Sequence, residues 1–136
     1  MKKALITKFS GLFLMLTLFL SFASCDKDDL TASINVNSEN NNSGDVKGNG
    51  GTATKTWSFA NSSSKAGWDM TINDATNGSF NLTLKDDAGT VMLDKTLSAD
   101  SGAKSADGTT EEGIPGEWTA TITLKSFDGT GDYSFL

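Results

Sequence analysis

The sequence predicts an all-β fold: a small, jelly-roll-like antiparallel β-sandwich of about six strands. Apolar and polar residues alternate through residues 54–136, which is typical of strands with one buried face. No stretch of this region has a sustained helical period, and glycine-containing turn sequences separate the alternating segments. The domains expected are a signal peptide (1–24), a tether (25–53) and the sandwich (54–136).

Six segments carry the alternation, and Lys95 interrupts the fourth. Three turns are predicted, because Asn-Gly and Asp-Gly suit hairpin turns. Residues 73–78 are predicted to join strands two and three, and residues 126–131 to join strands five and six. Asp86–Gly89 is predicted to join strands three and four as a tight hairpin. The longest predicted loop is 98–113, and Pro115 begins the fifth strand. The alternating residues are Trp57 and Phe59; Trp68, Met70 and Ile72; Phe80, Leu82 and Leu84; Val91, Leu93 and Leu97; Trp118, Ala120, Ile122 and Leu124; and Tyr133 and Phe135.

The N-terminus has the features of a secretory signal. Lys2, Lys3 and Lys8 precede an apolar run, and small residues follow it. The alternative is a transmembrane helix, but the run from Phe9 to Ala23 has 15 residues, fewer than the ~20 that span a bilayer. We therefore expect residues 1–24 to be removed.

The only cysteine lies at the expected cleavage site. The segment Phe22–Cys25 resembles the lipobox of bacterial lipoproteins, which implies that Cys25 is acylated and anchors the mature chain. A disulfide would need a second cysteine, and the chain has none. Two or three acyl chains on one residue would give lasting membrane attachment.

Four charged residues follow the cysteine. Asp26, Lys27, Asp28 and Asp29 resemble the export signal of Bacteroidota-type surface lipoproteins. The resemblance implies an outer-membrane lipoprotein facing the cell exterior, with a periplasm-facing lipoprotein as the alternative.

The segment up to residue 53 is rich in asparagine and glycine. This composition predicts a disordered tether, because little apolar surface is available to offset chain entropy. Such a tether would hold its ends roughly 30 Å apart. The alternative is a short edge strand at Thr31–Val36.

Composition excludes several functions. Without residues 1–24 the chain has 8 lysines and 17 acidic residues, hence a net charge of −9, with no arginine or histidine. We expect no nucleic-acid binding, because this charge repels phosphate. Histidine-based catalysis and histidine or cysteine zinc sites are excluded, and we expect a protein that is not an enzyme.

The C-terminal part resembles the end of small secreted modules of the pre-peptidase C-terminal kind. The resemblance rests on residues 113–124 and 126–135, in which a Gly-Trp strand is followed by a glycine-rich turn and an aromatic strand. It implies a jelly-roll sandwich of the kind that accompanies a catalytic domain.

Acidic residues in the predicted turns suggest a calcium site. Asp128 and Asp132 could offer two carboxylates to one ion, although aspartate also favours turns without any metal. Glu111 and Glu112 are adjacent, and their sequence does not indicate a catalytic pair. We expect no cofactor beyond this possible calcium ion.

Polar residues occupy the outer faces of two predicted strands: Asn81 and Thr83, and Thr119, Thr121 and Thr123. Trp57, Trp68 and Trp118 lie in phase with the core and are expected to be buried rather than to stack on sugars. The last strand can be an open edge or a covered one. We expect a non-catalytic, lipid-anchored binding module that contacts a protein partner, or alternatively a carbohydrate-binding accessory lipoprotein of a glycan-uptake system.

Overall fold

A computed structural model describes residues 29–100 and 102–136. These residues form one antiparallel sheet in the order β1-β2-β6-β3-β4, and β5 pairs with β3. The strands are β1 (Thr31–Val36), β2 (Ser43–Asn61), β3 (Gly67–Lys85), β4 (Val91–Ser98), β5 (Ser105–Thr109) and β6 (Gly116–Phe135).

The three long strands, β2, β3 and β6, bend near their middles and divide the sheet in two. The five-strand half consists of β1, residues 43–50 of β2, 128–135 of β6, 67–75 of β3, and β5. The four-strand half consists of residues 53–61 of β2, 116–125 of β6, 79–85 of β3, and β4. We call the region between the halves the bend.

The two halves pack face to face, so that one folded sheet makes a sandwich. The Phe59 ring of the four-strand half lies 4.5 Å from the Phe135 ring of the five-strand half. Trp57 likewise lies 5.8 Å from Tyr133 across the layers. Buried residues of both halves form one core cluster, which confirms the predicted β-sandwich.

Two predicted turns are wrong, because residues 73–78 and 126–131 lie within the continuous strands β3 and β6. Both stretches contain register shifts rather than chain reversals. The glycine turn in the module resemblance is therefore absent. The predicted hairpin at Asp86–Gly89 is confirmed, with the Gly89 N–H donating to the Asp86 carbonyl at 2.9 Å. The predicted loop 98–113 contains the additional strand β5.

The prediction of a disordered tether up to residue 53 is wrong for its C-terminal part. Thr31–Val36 is a strand, and β2 begins at Ser43. The glycines there serve close packing rather than flexibility, since a Cβ on Gly44 would lie 2.5 Å from the Tyr133 hydroxyl. Ile34 and Val46 are buried in the core. The sandwich therefore includes residues from 31 onward.

The predicted signal peptide, Cys25 and Asp26 to Asp28 lie outside the described residues. Asp29 is exposed just before β1. Within residues 29–100 and 102–136, no helix is long and apolar enough to cross a membrane.

Candidate functional site

The outer face of the four-strand half carries two rows of polar side chains that cross all four strands. These polar rows follow from strand register, because directly opposite residues point to the same face. The rows, each in the strand order β2, β6, β3, β4, are Thr54–Thr123–Asn81–Thr96 and Thr56–Thr121–Thr83–Asp94.

Hydrogen bonds link the side chains within and between the rows. The Asn81 amide donates to Asp94 Oδ1 at 2.7 Å and to Thr96 Oγ1 at 2.9 Å. The Thr83 hydroxyl donates to Asn81 Oδ1 at 3.1 Å. Thr56 and Thr121 are hydrogen-bonded at 3.0 Å. Because both amide hydrogens of Asn81 are engaged, its orientation is fixed at the centre of the face.

A groove of about 270 Å³ lies along this face where β3, β4 and β6 meet. Asp94 contributes a carboxylate and Lys125 an ammonium group, so the groove offers both charged acceptors and charged donors. The remaining lining is neutral and polar. The lining residues are Ser79, Asn81, Thr83, Asp94, Thr96, Thr123 and Lys125.

The sequence identified part of this site. Asn81, Thr83, Thr121 and Thr123 were expected on outer faces, and the register places them together. Asp94 and Thr96 were missed, although they alternate with the apolar Leu93 and Leu97. That parity was a usable signal, and the predicted hairpin at Asp86–Gly89 places β4 next to β3; the position of β6 beside β3 is what only the structure shows.

The candidate calcium residues do not lie in a turn. Asp128 and Asp132 are four residues apart on β6, which corresponds to roughly 13 Å along an extended strand. Asp128 Oδ2 accepts a bond from Thr76 Oγ1 at 3.0 Å, and Asp132 accepts one from Asn73. Within the part of the chain that the structure describes, no three His, Cys, Asp or Glu residues group as metal ligands.

The tryptophans lie on the core side of the strands and do not reach the groove. Trp118 is fully buried, as predicted, and its indole donates to the Ile114 carbonyl at 2.8 Å. Trp57 and Trp68 are only partly buried against the core. The Trp57 indole donates to the Asn41 carbonyl at 2.7 Å.

Asp86 anchors the end of the sandwich away from the bend. Its buried carboxylate accepts backbone N–H bonds from Ile114, Thr90 and Ala88 at 2.9, 2.8 and 3.0 Å. These bonds, that of Ile114 first, hold the pKa of Asp86 below its ordinary value. Asp86 therefore ties the β3–β4 hairpin to the loop before β6.

Glu111 and Glu112 are exposed in that same loop. Glu112 forms an ion pair with Lys65 at 3.5 Å, and both side chains are largely solvent-exposed. Such a pair contributes little to stability. Glu111 and Glu112 therefore lie outside the groove and at the loop before β6.

No protein-family model matches the chain, and no curated protein matches it. Similar solved structures include TmCBM61 in complex with β-1,4-galactotriose, with a TM-score of 0.42 and 8% identity over 79% of this chain and 69% of that one. A family 11 carbohydrate-binding module from Clostridium thermocellum, in complex with a mixed-linked tetrasaccharide, has a TM-score of 0.38 and 13% identity over 79% and 81%. The C-terminal CBM6 of LamC from Zobellia galactanivorans has a TM-score of 0.38 and 15% identity over 76% and 86%.

Proposed function

We propose that this protein is a non-catalytic glycan-binding lipoprotein of the bacterial cell surface, and that the groove on the four-strand half is its binding site. The observation that carries the proposal is the hydrogen-bonded polar network around Asn81. A sugar presents many hydroxyl groups that both donate and accept, and a face dense in fixed donors and acceptors is complementary to them.

The chemistry of the groove favours a glycan over a protein. The cores of protein interfaces are enriched in aromatic residues, methionine and arginine, and depleted in lysine, aspartate and serine. The groove has none of the enriched types and contains Ser79, Asp94 and Lys125. One carboxylate and one ammonium group on its lining suit a neutral ligand.

The groove also sets the expected strength of binding. Its lining contains no aromatic residue, so hydrogen bonds to sugar would have to compete with water without the help of stacking. We expect weak binding by each single domain. Display of many anchored copies would raise the avidity for a long polysaccharide without any new contact.

Attachment through Cys25 is the second part of the proposal. The lipobox-like sequence before Cys25 and the export-signal-like residues Asp26 to Asp29 support it. Mass spectrometry of the protein purified from membranes tests it directly. An unmodified Cys25 thiol would contradict the anchor without affecting the groove.

The test of the groove is binding of the purified protein to a panel of polysaccharides by affinity gel electrophoresis. We expect retention by at least one neutral glycan and its loss in Asn81→Ala. A matched control is Asn73→Ala, because Asn73 also donates an amide bond to an aspartate, Asp132, on the outer face of the other half. Equal retention of the two variants would contradict the assignment.

A protein partner is the second candidate. Residues 53–61 of β2 pair with β6 and lie beyond the segment that pairs with β1, so they form an unpaired edge. A peptide strand can add to such an edge if it accommodates the charge of Lys55. A recurrent partner after cross-linking on intact cells, together with no glycan binding, would favour this candidate.

A further inference from the structure

The described chain enters the sandwich at the bend. Thr31, the first residue of β1, pairs with Asn49 and Gly50 of β2. Leu30 is in the same place, since a Cβ on Gly50 would lie 3.1 Å from Leu30 Cδ2. β1 then runs away from the bend.

The sandwich has two different ends. At the bend, the Ala99 N–H donates to the Gly78 carbonyl at 2.9 Å, and the Lys104 carbonyl accepts from the Ile72 N–H at 2.7 Å. The opposite end, which we call the loop end, holds the connections 37–42, 62–66, 86–90 and 110–115. Contacts between these loops, such as that of the Gly113 N–H with the Ser64 carbonyl at 2.7 Å, hold the loop end together.

Covalent geometry limits the distance between Cys25 and the bend. Three residues lie between Cys25 and Asp29, and the four steps of extended chain that join the two span at most about 14 Å. The long tether that the composition predicted would allow the sandwich to rotate freely about its anchor. Most of that tether is instead part of the sheet, because β1 pairs with β2 from Thr31 onward.

We propose that the bend is the membrane-facing end of this protein and that its partner surface there is the layer of lipid headgroups. The proposal depends on acylation of Cys25, which is part of the proposed function. The loop end then points away: β3 runs seven residues from Gly78 to Lys85, or about 23 Å. The groove opens to the side, with Ser79 and Lys125 nearest the bilayer.

Both ends of the sandwich carry more acidic residues than lysines, and the loop end is the more acidic of the two. At the loop end, five exposed acidic residues outnumber the two exposed lysines there, Lys65 and Lys85. Anionic headgroups repel such a surface. Near the bend, the exposed Lys104 and Lys125 are accompanied by three exposed acidic residues, Asp29, Asp74 and Asp100, and by the partly buried Asp128. The acidic residues of the loop end are Glu39, Asp87, Glu111, Glu112 and Glu117.

The experiment uses the full acylated protein in vesicles of phosphatidylethanolamine and phosphatidylglycerol that contain a headgroup-nitroxide lipid. A fluorophore is attached to Asn77→Cys at the bend or to Ala88→Cys at the loop end, both exposed positions. Acylation of Cys25 blocks the native thiol. We expect a larger loss of fluorescence at position 77 than at position 88.

A long glycine-serine insert between Asp29 and Leu30 is the control, because it restores the reach that the native chain lacks. The insert should abolish the difference between the two labels. Equal or reversed quenching in the acylated protein without the insert would overturn the orientation. Acylation is measured first by mass, so a missing anchor is distinguished from a wrong orientation, and neither result depends on glycan binding.

Discussion

Lys55 and Lys95 close the two ends of one row of side chains on the core face of the four-strand half. Lys55 lies opposite Ile122, Ile122 opposite Leu82, and Leu82 opposite Lys95. The two central residues are fully buried. The lysines occupy core-phase positions on the edge strands, and the Lys55 ammonium reaches the Ile34 carbonyl at 3.3 Å.

Charged residues at such positions oppose pairing of an edge strand with another molecule. We therefore expect Lys55→Ile and Lys95→Ile to associate at concentrations at which the wild type is monomeric, as measured by sedimentation velocity. Lys47→Ile is the matched control. It makes the same change on β2 where that strand is paired on both sides, with β1 and with β6. If Lys47→Ile associates equally, general apolarity and not the open edge is the cause.

The bend consists of three X-Gly sequences lying side by side. Asn49 and Asn77 both lie opposite Asp128, and Gly50, Gly78 and Gly129 follow these residues with φ angles of 76°, 86° and 155°. A Cβ on Gly78 would overlap the carbonyl oxygens of Lys125 and Ser126. Glycine is thus required at Gly78 both by backbone conformation and by space.

We expect Gly78→Ala to lower the free energy of unfolding by more than the ~1–3 kcal/mol typical of a strained backbone conformation alone. Gly89→Ala separates the two causes. Gly89 has a φ of 80°, but a Cβ there would meet nothing within 4 Å. Denaturant unfolding of both variants is the measurement. Equal losses would show that the overlap at the bend is relieved at no cost.

The bend also explains what the sequence could and could not predict. Alternation located the core residues of β3 and β6, Phe59 of β2 and Leu97 of β4, because burial on one face of a strand imposes period two. It was wrong for Val91 of β4, which is exposed. Asn77-Gly78 and Asp128-Gly129 were interpreted as hairpin turns, since local sequence shows the need for positive φ but not whether the chain reverses. The same limit applies to Gly44, where composition indicated flexibility and a tyrosine across the sheet requires the glycine.

Predicting the groove requires the order of the strands in the sheet. Asn81 and Thr123 were each recognisable as outward-facing, but their adjacency is a matter of strand order. β6 lies between β2 and β3, and β4 lies on the far side of β3. No periodicity within a strand encodes that order.

The Asp86 carboxylate makes the free energy of unfolding depend on pH in the acidic range. Its pKa is held below the ordinary value of 3.8, first by the bond from the Ile114 N–H. Its contribution is therefore present above pH 3.8 and is lost as the pH falls through the folded-state pKa. We expect Asp86→Asn to be less stable than the wild type at neutral pH, with the difference shrinking as the pH falls.

Thermal unfolding at a series of pH values measures this difference. Asp74→Asn, at an exposed position of β3, is the control and should follow the wild-type pH dependence. If Asp86→Asn stays less stable than the wild type by the same amount down to the most acidic pH, the three backbone N–H groups do not stabilise the charge of the carboxylate.

Calcium binding at Asp128 and Asp132 stays a prediction, and it can be tested by substitution and by melting temperature. Both carboxylates already accept bonds from β3 side chains, those of Thr76 and Asn73. If an ion bound there, the melting temperature in calcium would exceed that in chelator, and Asp128→Asn would abolish the difference. An unchanged melting temperature in the wild type would remove the site.

Tyr133 makes stability depend on pH in the alkaline range. Its titration can be measured without interference, since it is the only tyrosine in the chain. Its buried hydroxyl donates to the Asn35 carbonyl at 2.7 Å and so links β6 to β1. Burial, and then the charge of Asp45, raise the pKa of Tyr133 above its ordinary value of 10.0. Stability from this group is therefore intact below pH 10 and is lost as the pH rises from there toward the folded-state pKa.

Absorbance titration of the phenolate should show a delayed transition in the folded protein and an ordinary one near pH 10 in denaturant. Tyr133→Phe should lower the unfolding free energy at neutral pH by about 1 kcal/mol through loss of the hydrogen bond, and should weaken the alkaline fall in stability. Asp45→Asn should bring the folded transition to lower pH, whereas Asp107→Asn on β5 should not. A folded-state titration near pH 10 would show that the hydroxyl is solvated, and β1 would then be held by its ladder with β2 alone.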